Sequence, residues 1–180
     1  YSEMGKSSPE WVPLKEAVKR GASTVHLENV RLEIEDDDVE LYVDRMVEKV
    51  FHNLLDNSLR HGEVTAIKVS VEEGPQGLSI VYTDDGKGID YEAVKAKAIT
   101  KGLITLEEAE KMSEEAIINL IFLPGFSTKD VSTEVSGRGV GMDVVKSNVA
   151  KLNGYVEIFT EKDKGTTFRI SLPLTLAIIQ

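Results

Sequence analysis

One stretch, residues 43–61, constrains the fold most, because it carries two kinds of side chain at helical spacing. The apolar side chains that recur every three or four residues are Val47, Phe51, Leu54 and Leu55. The polar side chains that form a second line at the same spacing are Asn53, Asn57, Arg60 and His61. The pattern predicts a helix with one face against a core and a neighbouring face that binds a ligand.

The length, composition and net charge of the chain exclude several classes of protein. A chain of 180 residues is typical of one domain with its own core. It has no cysteine, which excludes disulfides and thiolate chemistry, and its net charge of -10 argues against nucleic-acid binding. No apolar run approaches the roughly 20 residues of a membrane span, and no secretory signal is visible. We expect a cytoplasmic domain that contacts neither nucleic acid nor membrane.

The chain order predicts one main domain. Residues 1–20 are interpreted as a linker and helix, residues 21–175 as the main domain, and residues 176–180 as the start of a link to a further domain. The first predicted elements are a helix at 11–20 and a strand at 25–34.

Hairpin turns dominate the remaining connections. The predicted strands are 66–71, 78–83, 155–160 and 166–172, and the predicted helices are 91–99, 106–112, 113–122 and 137–152. Because the strands are joined by hairpins rather than by repeated crossovers, we predict an α/β two-layer sandwich. It would have one mixed, mostly antiparallel sheet with helices packed on one face.

An Asp-x-Gly-x-Gly run follows directly on a predicted strand, from Asp84 to Gly88. A carboxylate accepts a hydrogen bond from an exocyclic amine, which adenine offers and guanine replaces with an acceptor. Gly86 and Gly88 let the backbone approach a flat base without a Cβ in the way. The same pattern also occurs in ordinary turns, which is the alternative interpretation.

A second glycine run, Gly137-x-Gly139-x-Gly141, opens a predicted helix after a loop at 123–137. Exposed N–H groups and the helix dipole at such a start bind anions. The run lacks the preceding strand of a Rossmann fingerprint and the Gly-Lys-Ser/Thr end of a Walker loop. A loop that only leads into a helix is the alternative.

The polar line on the first helix suits a metal–polyphosphate ligand. Asn57 can present an amide oxygen to Mg²⁺, which accepts oxygen ligands and keeps several waters. Arg60 lies one turn further on and suits a phosphate, and His61 can donate to a phosphate or pair locally. Structural hydrogen bonds for the asparagine and a solvated face for the arginine are the alternatives.

The order and spacing of these motifs resemble the ATP-binding domain of histidine kinases, the Bergerat fold that is shared with the GHL ATPases. Residues 53–61 resemble the asparagine box, 84–88 the first glycine box, 122–129 the phenylalanine box and 137–141 the second glycine box. Gly165-Thr166-Thr167 is similar to the terminal Gly-Thr signature.

The resemblance covers roughly residues 25–175 and has two parts. From about Asp84 onward the chain resembles the chemotaxis histidine kinases, and its last segment looks like the junction with their regulatory coupling domain. The first half resembles ordinary sensor kinases, since Asn53 stands where the chemotaxis type would carry a histidine. Either a divergent kinase or a deliberate hybrid fits this mixture.

The resemblance also implies roles for individual residues. Asn57 would bind magnesium, and Asn53, Arg60 and His61 would lie at the catalytic end near the phosphates. An amide at Asn53, where GHL ATPases hold a water-activating glutamate, cannot act as a base, which suits transfer over hydrolysis. Asp84 would read the adenine amine. The other nucleotide contacts would be Gly86, Gly88, Ile89, Phe122, Gly137, Gly139, Val140, Gly141, Met142 and Thr167, the last through its hydroxyl.

By resemblance, the reaction moves the γ-phosphoryl group of ATP, with Mg²⁺, to a histidine on a separate domain. None of His26, His52 and His61 has the context of an acceptor, so we expect a histidine-containing phosphoacceptor domain as partner, a further regulatory domain, and a monomeric fragment. Two alternatives stay open. One is a GHL-type ATPase or an anti-sigma-type serine kinase, and the other is a catalytically silent nucleotide-binding module.

Overall fold

A computed structural model describes residues 7–35, 38–61, 63–126 and 141–179. The elements, labelled in chain order, are β1 (Glu10–Pro13), α1 (Leu14–Ala22), β2 (Arg31–Ile34), β3 (Val39–Val43), α2 (Met46–His61), β4 (Ala66–Gly74), β5 (Gly77–Asp84), α3 (Tyr91–Thr100), α4 (Leu106–Lys111), α5 (Glu114–Ile118), a 3₁₀ helix (Asn119–Phe122), α6 (Met142–Lys151), β6 (Tyr155–Glu161), β7 (Gly165–Pro173), a second 3₁₀ helix (Leu174–Leu176) and β8 (Ala177–Ile179).

The main sheet has five strands in the order β2-β4-β5-β7-β6. Its β4–β5, β5–β7 and β6–β7 pairs are antiparallel, whereas β2 and β4 run parallel. On β5, buried Leu78, Ile80 and Tyr82 alternate with half-buried residues, because successive side chains of a strand point to opposite faces. One face of the sheet therefore meets the helices, and the predicted α/β two-layer sandwich is confirmed.

Helix α2 is central to the helical layer and contacts both α1 and α6. The four residues of its predicted apolar stripe are all buried. The helix begins at Met46 rather than at residue 43, because residues 39–43 form strand β3. Asn53 and Ser58 are buried as well, so its inner face is not wholly apolar.

A second, three-stranded antiparallel sheet with the order β1-β3-β8 did not follow from the sequence. The predicted helix at 11–20 was wrong at its start, since Trp11 lies in β1 and pairs with Tyr42 of β3. The centres of these two rings lie 5.3 Å apart, with the ring planes tilted by 46°, on the exposed face of the sheet. The pairing joins short strands that lie far apart in the chain, so local periodicity could not reveal it.

Other boundaries shifted for local reasons. The strand predicted at 25–34 is confined to Arg31–Ile34, and Val25 and Leu27 are instead loop residues packed against the core. The helix predicted at 113–122 divides into α5 and a 3₁₀ helix. Its predicted N-cap is confirmed, because the Ser113 hydroxyl accepts from the Ala116 N–H at 3.1 Å.

Both predicted hairpins are present as β4–β5 and β6–β7. Helix α6 begins at Met142, whereas residues 137–140 of its predicted start lie outside the described residues. Across the described ranges, every helix is either too short or too polar to traverse a bilayer.

Candidate nucleotide-binding site

A cavity of about 610 Å³ opens where several elements end close together. The C-terminal turn of α2, the loop after β5, helix α3, the start of α6 and the β6–β7 turn surround it. Its volume falls within the range of about 300–1,000 Å³ that small-molecule sites occupy. The predicted site residues that line it are Asn57, Arg60, His61, Gly88, Ile89 and Met142.

Cationic side chains line this cavity although the whole chain is acidic. They are Arg60, Lys87, Lys97 and Lys162, and the imidazole of His61 lies beside them. Arg60 is held by Asp56 at 2.9 Å, and Lys162 lies 3.6 Å from Asp90. Asp90 and Asp163 also line the cavity, so four cations face two carboxylates, and this local excess of positive charge favours an anionic ligand. Sequence reasoning missed the three lysines because they come from three separate elements and form no local motif.

Phe126 forms an apolar wall of the cavity and is held by two lysines. The Lys97 ammonium lies 4.8 Å from the centre of its ring, within the range of a cation–π contact. The Lys101 ammonium donates to the backbone carbonyls of Gly125 and Phe126, both at 3.0 Å. Together these contacts fix the position of the ring, which is only 7% exposed.

Asn57 offers the cavity an amide, and Asn53 lies one turn behind it on α2. The Asn53 side chain is buried, and neither its Oδ1 nor its Nδ2 has a hydrogen-bond partner within the described residues. An unpaired buried polar group costs about 1–3 kcal/mol, so a residue of this kind usually has a further role.

The donors at this place fit Mg²⁺ bound together with a polyphosphate. The Asn57 amide oxygen is a hard ligand of the kind that Mg²⁺ accepts, and it faces a cation-lined cavity. No cluster of three or more histidine or carboxylate residues suited to a metal occurs in the described ranges. A metal ion here would therefore take most of its ligands from the nucleotide and water.

Asp84 lies behind the cavity wall, four residues before Gly88, and does not itself line the cavity. Its side chain is buried, and its Oδ1 accepts from the N–H groups of Gly86 at 3.0 Å and Thr166 at 3.2 Å. Its Oδ2 accepts from the Ser58 hydroxyl at 2.8 Å. All of these partners donate, so the carboxylate is held as an acceptor.

The two threonines of the Gly-Thr signature lie on opposite faces of the sheet, and the expected nucleotide contact of Thr167 stays a prediction. The Thr167 hydroxyl bonds to that of Thr83 at 3.1 Å on the face of the sheet away from Asp84. Thr166 is the buried residue, and its backbone donates to Asp84. Phe168, Ile170 and Leu172 share the parity of Thr166, and this alternation in the sequence indicates that Thr166 lies on the buried face of the sheet.

The other predicted contact residues fall into three groups. Gly86 and Phe122 are buried beside the cavity rather than in its lining, and Phe122 packs edge-on against Phe168 with ring centres 6.5 Å apart. Gly141 is the N-cap of α6 with extended backbone. Gly137, Gly139 and Val140 lie outside the described residues.

A close backbone contact explains the glycine at position 88, independently of any contact with a base. Its φ is +72°, and a Cβ there would lie 2.2 Å from the backbone oxygen of Glu161 in the β6–β7 turn. Gly165 makes the reciprocal contact, since its Cβ would lie 2.1 Å from the backbone oxygen of Asp84. The two glycines therefore seat the β6–β7 turn directly on the loop that follows β5.

Asp84 and Asp85 have different tasks although they are adjacent. Asp85 accepts from the hydroxyl and N–H of Thr65 and from the N–H of Ala66, and these bonds lower the pKa of Asp85. It ties the loop after β5 to the start of β4.

Burial raises the pKa of Tyr82 far above its usual value, so its hydroxyl stays a donor beside Ser58.

Fold and cavity together define a nucleotide-binding sandwich domain. The sequence profile of the family described as "Histidine kinase-, DNA gyrase B-, and HSP90-like ATPase" matches residues 42–176, which is more than half of the chain. The chain belongs to this ATPase family, and the family inferred from its motifs is confirmed.

Two relatives resemble the chain closely in sequence. It is 43% identical over 168 residues to the sensor histidine kinase CheAY of Helicobacter pylori, covering 84% of this chain and 21% of that protein. It is also 43% identical over 167 residues to the chemotaxis protein CheA of Treponema pallidum, covering 84% and 20%. The chain therefore spans about a fifth of the length of these relatives.

Solved structures share the fold at lower sequence identity. The mycobacterial sensor histidine kinase MprB superposes with a TM-score of 0.61 at 20% identity, covering 92% of this chain and 97% of that one. The catalytic domain of the histidine kinase ThkA gives a TM-score of 0.59 at 19% identity, covering 92% and 95%. At these identities the likeness bears on the fold alone.

Proposed function

We propose that this chain is the ATP-binding catalytic domain of a histidine kinase and that it positions ATP for transfer of the γ-phosphoryl group to a histidine on another domain. The observation that carries the proposal is the cavity, which joins the Asn57 amide, a set of cations and the Gly88–Ile89 backbone in front of Asp84. Family membership and the chemotaxis relatives support the same reaction.

The base is recognised at the Asp84 end. The carboxylate accepts the exocyclic amine of adenine, and a purine with an oxygen at that position would face it with a second acceptor. Gly86, Gly88 and Thr166 hold this end of the site through backbone contacts. Ile89 and Met142 supply apolar surface for the ring, because both line the cavity.

The phosphates are bound at the α2 end. Mg²⁺ held through Asn57 neutralises charge on the phosphates and supplies a Lewis acid. Arg60, His61 and Lys97 line the same cavity and balance the remaining negative charge. Asn53 holds the catalytic position one turn behind Asn57, where an amide orients groups without removing a proton. Gly137, Gly139, Val140 and Gly141 complete the phosphate cradle.

The acceptor histidine belongs to a separate domain. The His52 ring bonds to the Thr24 hydroxyl at 2.7 Å, and His61 belongs to the nucleotide cavity. His26 is exposed in a loop near α1, outside that cavity. Transfer therefore takes place to a histidine-containing phosphoacceptor domain, and a regulatory domain controls it. The domain works in the cytoplasm and is monomeric as a fragment.

Calorimetric titration tests nucleotide binding. The chain is titrated with ATP and with GTP, each with and without Mg²⁺, and we expect tighter binding of ATP that Mg²⁺ strengthens. Asn57→Ala should remove most of the Mg²⁺ effect and leave metal-free binding nearly unchanged. Asn119→Ala is the matched control, because Asn119 is a half-buried asparagine at the end of α5 that donates to the Glu115 carbonyl at 2.8 Å and does not line the cavity.

A transfer assay tests the reaction itself. Labelled ATP and Mg²⁺ are incubated with the chain and a histidine-bearing acceptor domain from a chemotaxis relative. Acid-labile label on the acceptor supports the kinase, and its loss on mutating the acceptor histidine supports the site of transfer. Release of phosphate without an acceptor would favour an ATPase. Binding without either reaction would favour a silent nucleotide-binding module, and absence of ATP binding would refute the proposal.

A further inference from the structure

A buried chain of hydrogen bonds lies behind Asp84 and is separate from the cavity lining. The Tyr82 hydroxyl lies 2.9 Å from Ser58 Oγ and 3.1 Å from the Leu54 carbonyl oxygen. Ser58 in turn donates to Asp84 Oδ2 at 2.8 Å. Ser58 is 1% exposed and Tyr82 is fully buried. The chain thus runs from helix α2 to the carboxylate at the end of β5.

These bonds leave the Asp84 carboxylate with one open position. A carboxylate has about four acceptor positions, two on each oxygen. The N–H groups of Gly86 and Thr166 occupy both positions of Oδ1. Ser58 occupies one position of Oδ2, so among the hydrogen bonds of the described residues a single position on Oδ2 has no donor. Donors on both oxygens also prevent the carboxylate from turning.

The direction of the Ser58 hydrogen follows from its neighbours. The Tyr82 hydroxyl lies behind Ser58 and is protonated, since burial raises the pKa of Tyr82. The carboxylate of Asp84 can only accept, so Ser58 directs its own hydrogen to Asp84, while the single hydrogen of Tyr82 is shared between Ser58 Oγ and the Leu54 carbonyl oxygen. Ser58 is therefore a fixed donor to Asp84.

We propose that Ser58, backed by Tyr82, is a positioning residue that sets the selectivity of this site for a purine carrying an amine rather than an oxygen at C6. The proposal rests on the proposed function, because it concerns the base end of the same nucleotide site. Neither side chain touches the base. Both act through Asp84, whose orientation and single open acceptor position they fix.

Removing the Ser58 hydroxyl weakens discrimination for two reasons. The carboxylate gains freedom to turn away from an opposing oxygen, which relieves the repulsion that rejects it. A water that replaces the hydroxyl can donate or accept, so it adapts to either kind of base. Binding of the amine-bearing purine changes less, because Oδ2 remains an acceptor in either orientation.

The test compares ATP with inosine triphosphate, which carries an oxygen at C6. Affinities for both, with Mg²⁺, are measured by calorimetry for the unchanged chain, Ser58→Ala, Tyr82→Phe and Ser79→Ala. We expect Ser58→Ala to reduce the ratio of the two affinities by about tenfold, the value of one hydrogen bond to a charged group at the low end of its range. Tyr82→Phe should reduce it by about twofold, because Ser58 remains.

Ser79→Ala is the matched control. Ser79 is on the same strand as Asp84 but on the opposite face, where its hydroxyl bonds to that of Ser171 at 3.2 Å. It should leave the ratio unchanged. Thermal unfolding of each variant by circular dichroism shows that the fold is retained, and Tyr82→Phe carries the test if Ser58→Ala does not fold.

The outcomes separate this proposal from the one on which it rests. Preference for ATP in the unchanged chain, together with a reduced preference in Ser58→Ala, supports the positioning role. Equal weakening of both nucleotides in Ser58→Ala, with the ratio kept, would show a purely structural serine and overturn the role. Absence of ATP binding by the unchanged chain would instead refute the nucleotide site itself.

Discussion

Replacing Gly88 with alanine tests how closely the β6–β7 turn is seated on the nucleotide loop. The new Cβ would lie 2.2 Å from the backbone oxygen of Glu161, well inside any normal contact distance. The obstacle is backbone rather than the end of a flexible side chain. The turn must therefore retreat, or the loop after β5 must move toward the cavity.

Two costs of the substitution can be assigned from the structure. An alanine at a φ of +72° costs about 1–2 kcal/mol, because its Cβ approaches the carbonyl oxygen. A retreating turn also breaks the bond from the Asp163 N–H to the Lys87 carbonyl, now 2.7 Å, at about 1 kcal/mol. The sum is about 2–3 kcal/mol, or about 5–10 °C in melting temperature for a chain of this length.

Gly102 provides the control for backbone strain alone. Its φ is +71°, and a Cβ there would meet nothing within 4 Å. Gly102→Ala should therefore cost only the strain of about 1–2 kcal/mol. Chemical denaturation of both variants, followed by circular dichroism, measures the difference. Equal destabilisation by the two substitutions would refute the close contact of turn and loop. We also expect Gly88→Ala, but not Gly102→Ala, to weaken ATP binding.

Three further predictions concern other parts of the site. Asn53→Leu should leave the free energy of unfolding unchanged or raise it by about 1 kcal/mol, since it removes an unpaired buried amide, while the transfer assay shows lost activity. Asp85→Asn should lower the free energy of unfolding above a pH of about 4, because the hydrogen bonds that lower the pKa of Asp85 stabilise the folded state when its carboxylate is charged. This stabilisation is lost as the pH falls through the pKa of Asp85 in the folded protein, and denaturation at several pH values measures it. Lys101→Met should loosen the backbone at Phe126 and speed amide exchange there, as measured by hydrogen exchange.

The sequence predicted the elements whose signals are local. Helix α2 followed from a periodic pattern over 16 residues, and the two hairpins followed from turn residues between alternating strands. The second sheet did not, because its strands have only three to five residues and pair across long separations. Pairing of that kind depends on tertiary contacts, which a short stretch of sequence does not reveal.

The residues of the candidate site also differ in whether a local sequence motif indicates them. Asn57 and the Asp84 loop carry compact motifs, and the order of these motifs and the family resemblance singled them out as candidate site residues. The lysines of the cavity were missed because Lys87, Lys97 and Lys162 converge only after folding. Ser58 was missed for another reason: a serine beside Asn57 has no distinctive pattern, and its contact with the hydroxyl of Tyr82 joins residues that lie 24 apart in sequence.

The Trp11–Tyr42 pair on the three-stranded sheet gives this protein an intrinsic fluorescent probe. Trp11 is the only tryptophan in the chain, is 45% exposed, and lies outside the lining of the nucleotide cavity. Its fluorescence therefore reports the environment of the β1-β3-β8 sheet. A blue shift in emission when another domain is added would reveal burial of this surface, and the signal could be read without attaching any label.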